Sequence, residues 1–151
     1  MISAWLIQLV SAYFGALGFA FLFNVQKARL FWAGFGGMLG WGAYLLCKLV
    51  HESDVVGFFV AGMCFTLYAE PMARLKKTPS TVFLVPAAIP LVPGASLFRS
   101  MRFAVYGMWD AFSFQILYTL LLAAGIAGGV VCGMTAFHII KRIMDLRATK
   151  S

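Results

Sequence analysis

Charge is what this sequence has least of. Only 11% of its residues are charged, five acids against twelve Lys and Arg, while 62% are hydrophobic. A soluble domain is about 45 to 50% apolar and about 25% charged, so this composition, with a mean hydropathy of +0.90, points to an integral membrane protein. Cysteine is sparse too. Cys47, Cys64 and Cys132 sit in apolar surroundings without paired spacing, which argues against a disulfide framework or zinc site and reads as small buried thiols. G-x-S-x-G, Walker, H-E-x-x-H and Cys/His patterns are absent, so no enzyme signature, metal or cofactor is expected. The net charge of +7 does not imply nucleic acid, because the cations stand at the ends of apolar runs rather than along an aromatic-rich face.

What the sequence does have is five neutral runs. No Asp, Glu, Lys or Arg precedes Lys27, and none occurs in 30–47, 55–69, 78–98 or 111–140. A helix needs about 17 to 25 residues to cross the hydrocarbon core, so the first, second, fourth and fifth runs suffice alone. The third must extend through Glu70 or His51. The expected fold is an all-α integral membrane protein with five membrane segments in a single domain over 1–151. The first segment has no basic residue ahead of it and reads as a retained span rather than a cleaved signal.

If all five cross, Lys27, Arg29, Arg74, Lys76, Lys77, Lys141, Arg142, Arg147 and Lys150 share one side, and Lys48, Arg99 and Arg102 the other. The positive-inside bias makes the nine-charge side cytoplasmic and the N-terminus external. A fourth segment that dips in and returns leaves seven against five, a weaker bias, so five spans are preferred.

That fourth segment holds Pro86, Pro90, Pro93 and Gly94. Prolines break helices, and backbone groups freed in hydrocarbon need protein or water as partners. The spacing predicts a half-helix over 80–89, a break at 90–94 and a second half over 95–106. Discontinuous transporter helices aim such ends at charged solutes, so the break is either a solute site or a structural kink. Thr78 and Thr81 would offer hydroxyls near the cytoplasmic mouth. Arg99 and Arg102, on one face, either attract an anion or snorkel.

Glu70, one turn ahead of Arg74, suits either an ion pair or proton coupling. Asp110 reads as a helix N-cap and His138 as interfacial; His51, Glu52 and Asp54 in the outer loop read as a solvated turn, with cation binding as the alternative. Three glycine-rich faces, Ser11/Gly15/Gly18, Gly36/Gly40 and Gly125/Gly129/Gly133, are expected to pack helices closely. Five short-looped spans enclose little polar space, which predicts a partner subunit or self-association.

The run Tyr68-Ala-Glu-Pro-Met-Ala-Arg-Leu-Lys-Lys-Thr-Pro-Ser-Thr-Val-Phe-Leu-Val-Pro-Ala-Ala-Ile-Pro-Leu-Val-Pro-Gly94, with Gly18-Phe-Ala-Phe-Leu-Phe-Asn-Val25 at the end of the first span, resembles the threonine/serine exporter family. It is closest to the family's small stand-alone subunit, also found in bacterial succinate exporters. The resemblance implies a proton-driven exporter of small amino acids or dicarboxylates in the bacterial plasma membrane, completed by a large subunit of the same family. It marks Asn24, Glu70, Arg74, Thr81, Pro90, Pro93 and Gly94 as its clearest points. With Pro86 and Arg99, these are the expected pathway and coupling residues. Arg99 and Arg102 depart from the neutral or aromatic residues of relatives, which leaves the substrate's charge open. The contrasting reading is a non-transporting scaffold that packs through its glycine faces.

Overall fold

The structure, a computed structural model, describes residues 2–148; Lys150 and the side chain of Arg147, both counted above, lie outside what it describes. Helices α1 (Ile2–Leu22), α2 (Lys27–Val50), α3 (Asp54–Leu75) and α4 (Thr81–Ala88) are followed by a 3-10 turn (Ile89–Leu91), α5 (Gly94–Val105) and α6 (Trp109–Ala148). The described residues contain no strand. α1, α2, α3 and α6 are each long and apolar enough to cross a membrane, and α4–α5 passes the same test as one pair bent by 53°. The molecule is an all-α membrane protein.

Chain direction follows from which side chains meet. Tyr118 bonds Asp54, Gly125 lies against Val55, Gly129 against Phe59 and Gly133 against Thr66, and Arg74 covers the Phe137 ring. Both numbers rise together, so α3 and α6 run parallel. The chain leaving α3 must therefore return to the opposite end of the bundle before α6 begins. α4, the 3-10 turn and α5 make that return: Ala87 meets Gly36 and Leu91 meets Gly40, so α4 climbs alongside α2. At about 1.5 Å per residue and a 53° bend, the two halves advance about 27 Å, close to a hydrocarbon core of about 30 Å. A hairpin that turned back would have left α6 antiparallel to α3.

Glycine sets how closely the elements approach. A Cβ on Gly125 would stand 2.9 Å from the Val55 carbonyl oxygen, and one on Gly129 would collide with that of Phe59. The second and third glycine faces are thus packing seams, as expected. The first is not: Gly15 and Gly18 meet nothing within 4 Å, and with Ser11 they are exposed on α1, because α2 takes the Ala12/Ala16 side of that helix. The alanines Ala20, Ala33, Ala69 and Ala73 gather around Phe83 at one end of the bundle, while Phe58, Phe65, Ala87, Leu91 and Leu122 form a second core toward the other.

Three helices end alike. After α1, Val25 N–H reaches the Ala20 carbonyl at 3.0 Å and Asn24 N–H that of Phe21; Lys77–Thr78 and Gly107–Met108 repeat the pattern after α3 and α5. This is the Schellman arrangement, which needs a left-handed residue just past the helix. Asn24, Lys77 and Gly107 supply it, with φ of 55°, 49° and 69°.

Other expectations need correction. Cys64 and Cys132 are exposed rather than buried, since on helices with small interface residues the thiol-bearing face is left outward. Asp110 is not a cap. It lies in the first turn of α6, where a carboxylate complements the helix dipole instead. His138 is exposed, with Nδ1 2.8 Å from the Met134 carbonyl oxygen.

Candidate functional site

The bundle has two unlike ends. Lys27, Arg29, Arg74, Lys76, Lys77, Lys141 and Arg142 lie toward the basic end, where Arg29 donates to the Lys76 carbonyl at 3.3 Å and the Lys76 ammonium sits 5.2 Å from the Trp32 ring centroid. At the other end the Pro/Gly break opens on a cavity of about 320 Å³, walled by Trp41 and Tyr44 of α2, Asp54 and Phe58 of α3, Pro90, the stretch 92–96 and Arg99 across the break, and Tyr118 and Leu122 of α6.

The break itself is a tight turn. Pro93 has φ −76° and ψ 56°, and Gly94 N–H bonds the Val92 carbonyl at 2.7 Å, the inverse γ-turn. Pro90 and Pro93 lack N–H groups, so neither can continue the α4 ladder. Leu97 N–H reaches the Pro93 carbonyl at 3.0 Å, which leaves the amides of Ala95 and Ser96 without a backbone acceptor among the described residues. Both residues line the cavity. They form the positive end of α5, with Arg99 one turn further along the same wall.

The facing wall is acidic. Asp54 accepts hydrogen bonds from Tyr118 Oη at 2.6 Å, Tyr44 Oη at 2.9 Å and Lys48 Nζ at 2.6 Å. Its position at the first residue of α3 lets α2 and α6 each place a tyrosine against it. Beside it runs a polar seam between α5 and α6: Ser96 Oγ and Thr119 Oγ1 are 2.8 Å apart, Gln115 Nε2 donates to Ser96 Oγ at 2.7 Å, and Thr119 Oγ1 donates to the Gln115 carbonyl at 2.8 Å. α5 buries Ser96 and Ser100 and exposes Leu97, Phe98, Met101 and Val105. Its serines point inward, while Arg99 and Arg102 stay exposed.

Of the expected residues, Pro90, Pro93, Gly94 and Arg99 come together here. Thr81 and Pro86 face a separate groove of about 350 Å³ with Phe23, Val25, Val82 and Val85 toward the basic end. Asn24 is exposed in the α1–α2 turn and lines neither; its left-handed φ explains the residue. Glu70 is buried, with 7% exposure, but is not paired with Arg74, whose guanidinium lies 5.0 Å from the Phe137 ring centroid. Arg102 is exposed over the Phe103 ring, 5.8 Å from its centroid. Gly94 needs no special conformation: only Gly107 among the glycines has positive φ, and a Cβ on Gly94 would meet nothing within 4 Å. A side chain at this position is therefore barred neither by dihedral nor by crowding in the isolated chain.

Sequence reasoning missed Asp54, Tyr44, Tyr118 and the Ser96/Gln115/Thr119 seam. A faint signal existed in Tyr44 and Lys48, four apart at a span end and followed by an acid at the start of the next.

No solved structure matches the chain. The family profile described as "Threonine/Serine exporter, ThrE" matches residues 8–143, which takes in the break, both walls of the cavity and the glycine seams, and the chain belongs to the threonine/serine exporter family.

Proposed function

We propose that this chain is the small membrane subunit of a two-component secondary exporter whose solute is a zwitterionic small amino acid, L-threonine or L-serine. The observation that carries the proposal is the cavity with a carboxylate on one wall and helix N-terminal amides with Arg99 on the other. An α-amino acid presents an ammonium and a carboxylate a few ångströms apart. Asp54 and the aromatic faces of Trp41, Tyr44 and Phe58 suit the ammonium; the Ala95 and Ser96 amides and Arg99 suit the carboxylate. Succinate fits less well, because one of its two carboxylates would face Asp54.

Pro90, Pro93 and Gly94 shape the site by turning the backbone so that the α5 amides reach solute. Glu70, a buried acid that takes no hydrogen bond or ion pair among the described residues, is the candidate proton carrier. The chain sits in the bacterial inner membrane with the cavity end and N-terminus outside and the basic end and C-terminus cytoplasmic, following the nine-to-three charge count. Alternating access needs a second half. A large subunit of the same family supplies it, docked beside lipid on the exposed α1 face, with higher oligomers open to the assembled pair.

The test is efflux from proteoliposomes with and without the large subunit, using radiolabelled L-threonine, L-serine and succinate under an imposed pH gradient. Gradient-dependent threonine or serine flux that needs both chains is expected. Saturable flux by this chain alone would replace the two-component reading with a homo-oligomeric carrier, and preference for succinate would overturn the zwitterion assignment.

A further inference from the structure

We infer that Lys48 is a tethered stand-in for the solute's ammonium group, holding Asp54 while the cavity is empty and releasing it when an amino acid arrives. The inference rests on the zwitterion reading of the cavity. Lys48 Nζ lies 2.6 Å from Asp54 Oδ1, and its side chain is 50% exposed against 27% for Asp54. The lysine is therefore the partner free to leave. Its long stem sits in the last turn of α2 and is half exposed, whereas Asp54 is pinned by Tyr44 of α2 and Tyr118 of α6.

Asp54, Tyr44 and Tyr118 are cavity walls, and Lys48 is not among them. Its ammonium reaches the carboxylate from beside the cavity and bonds Tyr44 Oη at 3.3 Å on the way. Withdrawal of Lys48 frees an acceptor position on Asp54, a residue of the cavity wall, while both tyrosines keep their bonds. A substrate ammonium has the same charge and the same three donors as the lysine it replaces, so the exchange leaves charge and hydrogen bonding unchanged at Asp54. Without either cation, a partly buried carboxylate would stand unpaired beside apolar walls, which is costly. Lys48 thus competes with solute and lowers apparent affinity, and in return it neutralises the empty carrier so that it can reset.

The experiment compares Lys48→Gln, Lys48→Arg and Asp54→Asn in proteoliposomes of the assembled exporter, with radiolabelled L-threonine and assembly checked by gel filtration. For Lys48→Gln the half-saturating threonine concentration should fall by about fivefold, the upper range for a half-exposed ion pair. Net efflux should slow while threonine–threonine exchange persists, because exchange never passes through the empty state. Lys48→Arg keeps the cation and should recover net efflux toward the parent rate, falling between the parent and Lys48→Gln. A purely structural lysine predicts the opposite pattern, with exchange and net efflux lost together and no gain in affinity. An unchanged or raised half-saturating concentration in Lys48→Gln, alongside lost binding in Asp54→Asn, overturns the stand-in role and leaves the cavity reading intact. Normal threonine binding by Asp54→Asn overturns both.

Discussion

The long helix α6 meets two neighbours by opposite means. Against α3 it presents Gly125, Gly129 and Gly133, so that backbone lies directly on backbone; against α5 it presents Gln115 and Thr119, which hydrogen-bond Ser96. Lipid offers no hydrophobic drive for helix association, so each seam must supply its own cohesion. The glycine seam does so by close dispersion contact over two helical turns, which leaves no slack for sliding. The polar seam does so with a few directional bonds to a half-helix of 12 residues, hinged at an inverse γ-turn. One seam is a frame and the other can move. The cavity lies where the two meet.

The sharpest way to break the frame is Gly129→Leu. Its Cβ would collide with the Phe59 carbonyl and stand 2.9 Å from Met63 N–H, and backbone cannot yield as a flexible side chain can. Overpacking of this kind costs about 1 to 3 kcal/mol when the core can adjust and more when it cannot. Loss of folded protein is the expected outcome, read as aggregation on gel filtration or a collapsed thermal midpoint in detergent. A stable Gly129→Leu protein would show that α3 and α6 are free to separate.

Second in size is Asp54→Asn, which keeps the shape of the site and removes its negative charge. Hydrogen bonds to charged groups contribute about 1.5 to 3 kcal/mol and the displaced Lys48 pair offsets about 1 kcal/mol of that, so L-threonine binding should weaken by roughly twofold to thirtyfold; the thermal midpoint should fall as well, because Tyr44 and Tyr118 lose a charged acceptor. Equilibrium binding to the purified exporter complex measures it. The polar seam comes next. Thr119→Val preserves volume and removes two neutral hydrogen bonds of about 1 kcal/mol each, the one shared with Ser96 across the seam and the one to the Gln115 carbonyl within α6; Ser96 keeps its bond from Gln115. Turnover should change by about fivefold or less without loss of assembly. An effect as large as that of Gly129→Leu would mean that α5 is part of the frame.

The frame was legible in the sequence and the site only half so. Glycines four apart announce close helix packing whatever the partner, and the charge-free runs located all five segments because lipid imposes one length on each. Pro90, Pro93 and Gly94 marked the break because proline's missing donor acts locally. Asp54 did not stand out, because its meaning lies in Tyr118, 64 residues away, and a lone acid beside His51 and Glu52 looks like any surface turn. Asn24 was legible as a signal but not as a cause. It marks a left-handed helix end, a role that backbone hydrogen bonding reveals and composition does not.

The smallest effect expected is at Gly94, and it bears on the hinge between the two seams. Glycine beside two prolines suggests a position that tolerates no side chain. The structure gives it open space and an ordinary φ, as the first residue of α5. Gly94→Ala should therefore leave the thermal midpoint unchanged and shift half-saturation by no more than about twofold, the scale of an exposed substitution of about 0.5 kcal/mol or less. The neighbouring amides of Ala95 and Ser96, not the Gly94 α-carbon, are what the solute's carboxylate would approach. Flux abolished by Gly94→Ala in a complex that still binds L-threonine would place the γ-turn among the moving parts, with Gly94 taking up during transport a backbone conformation that the resting structure does not show.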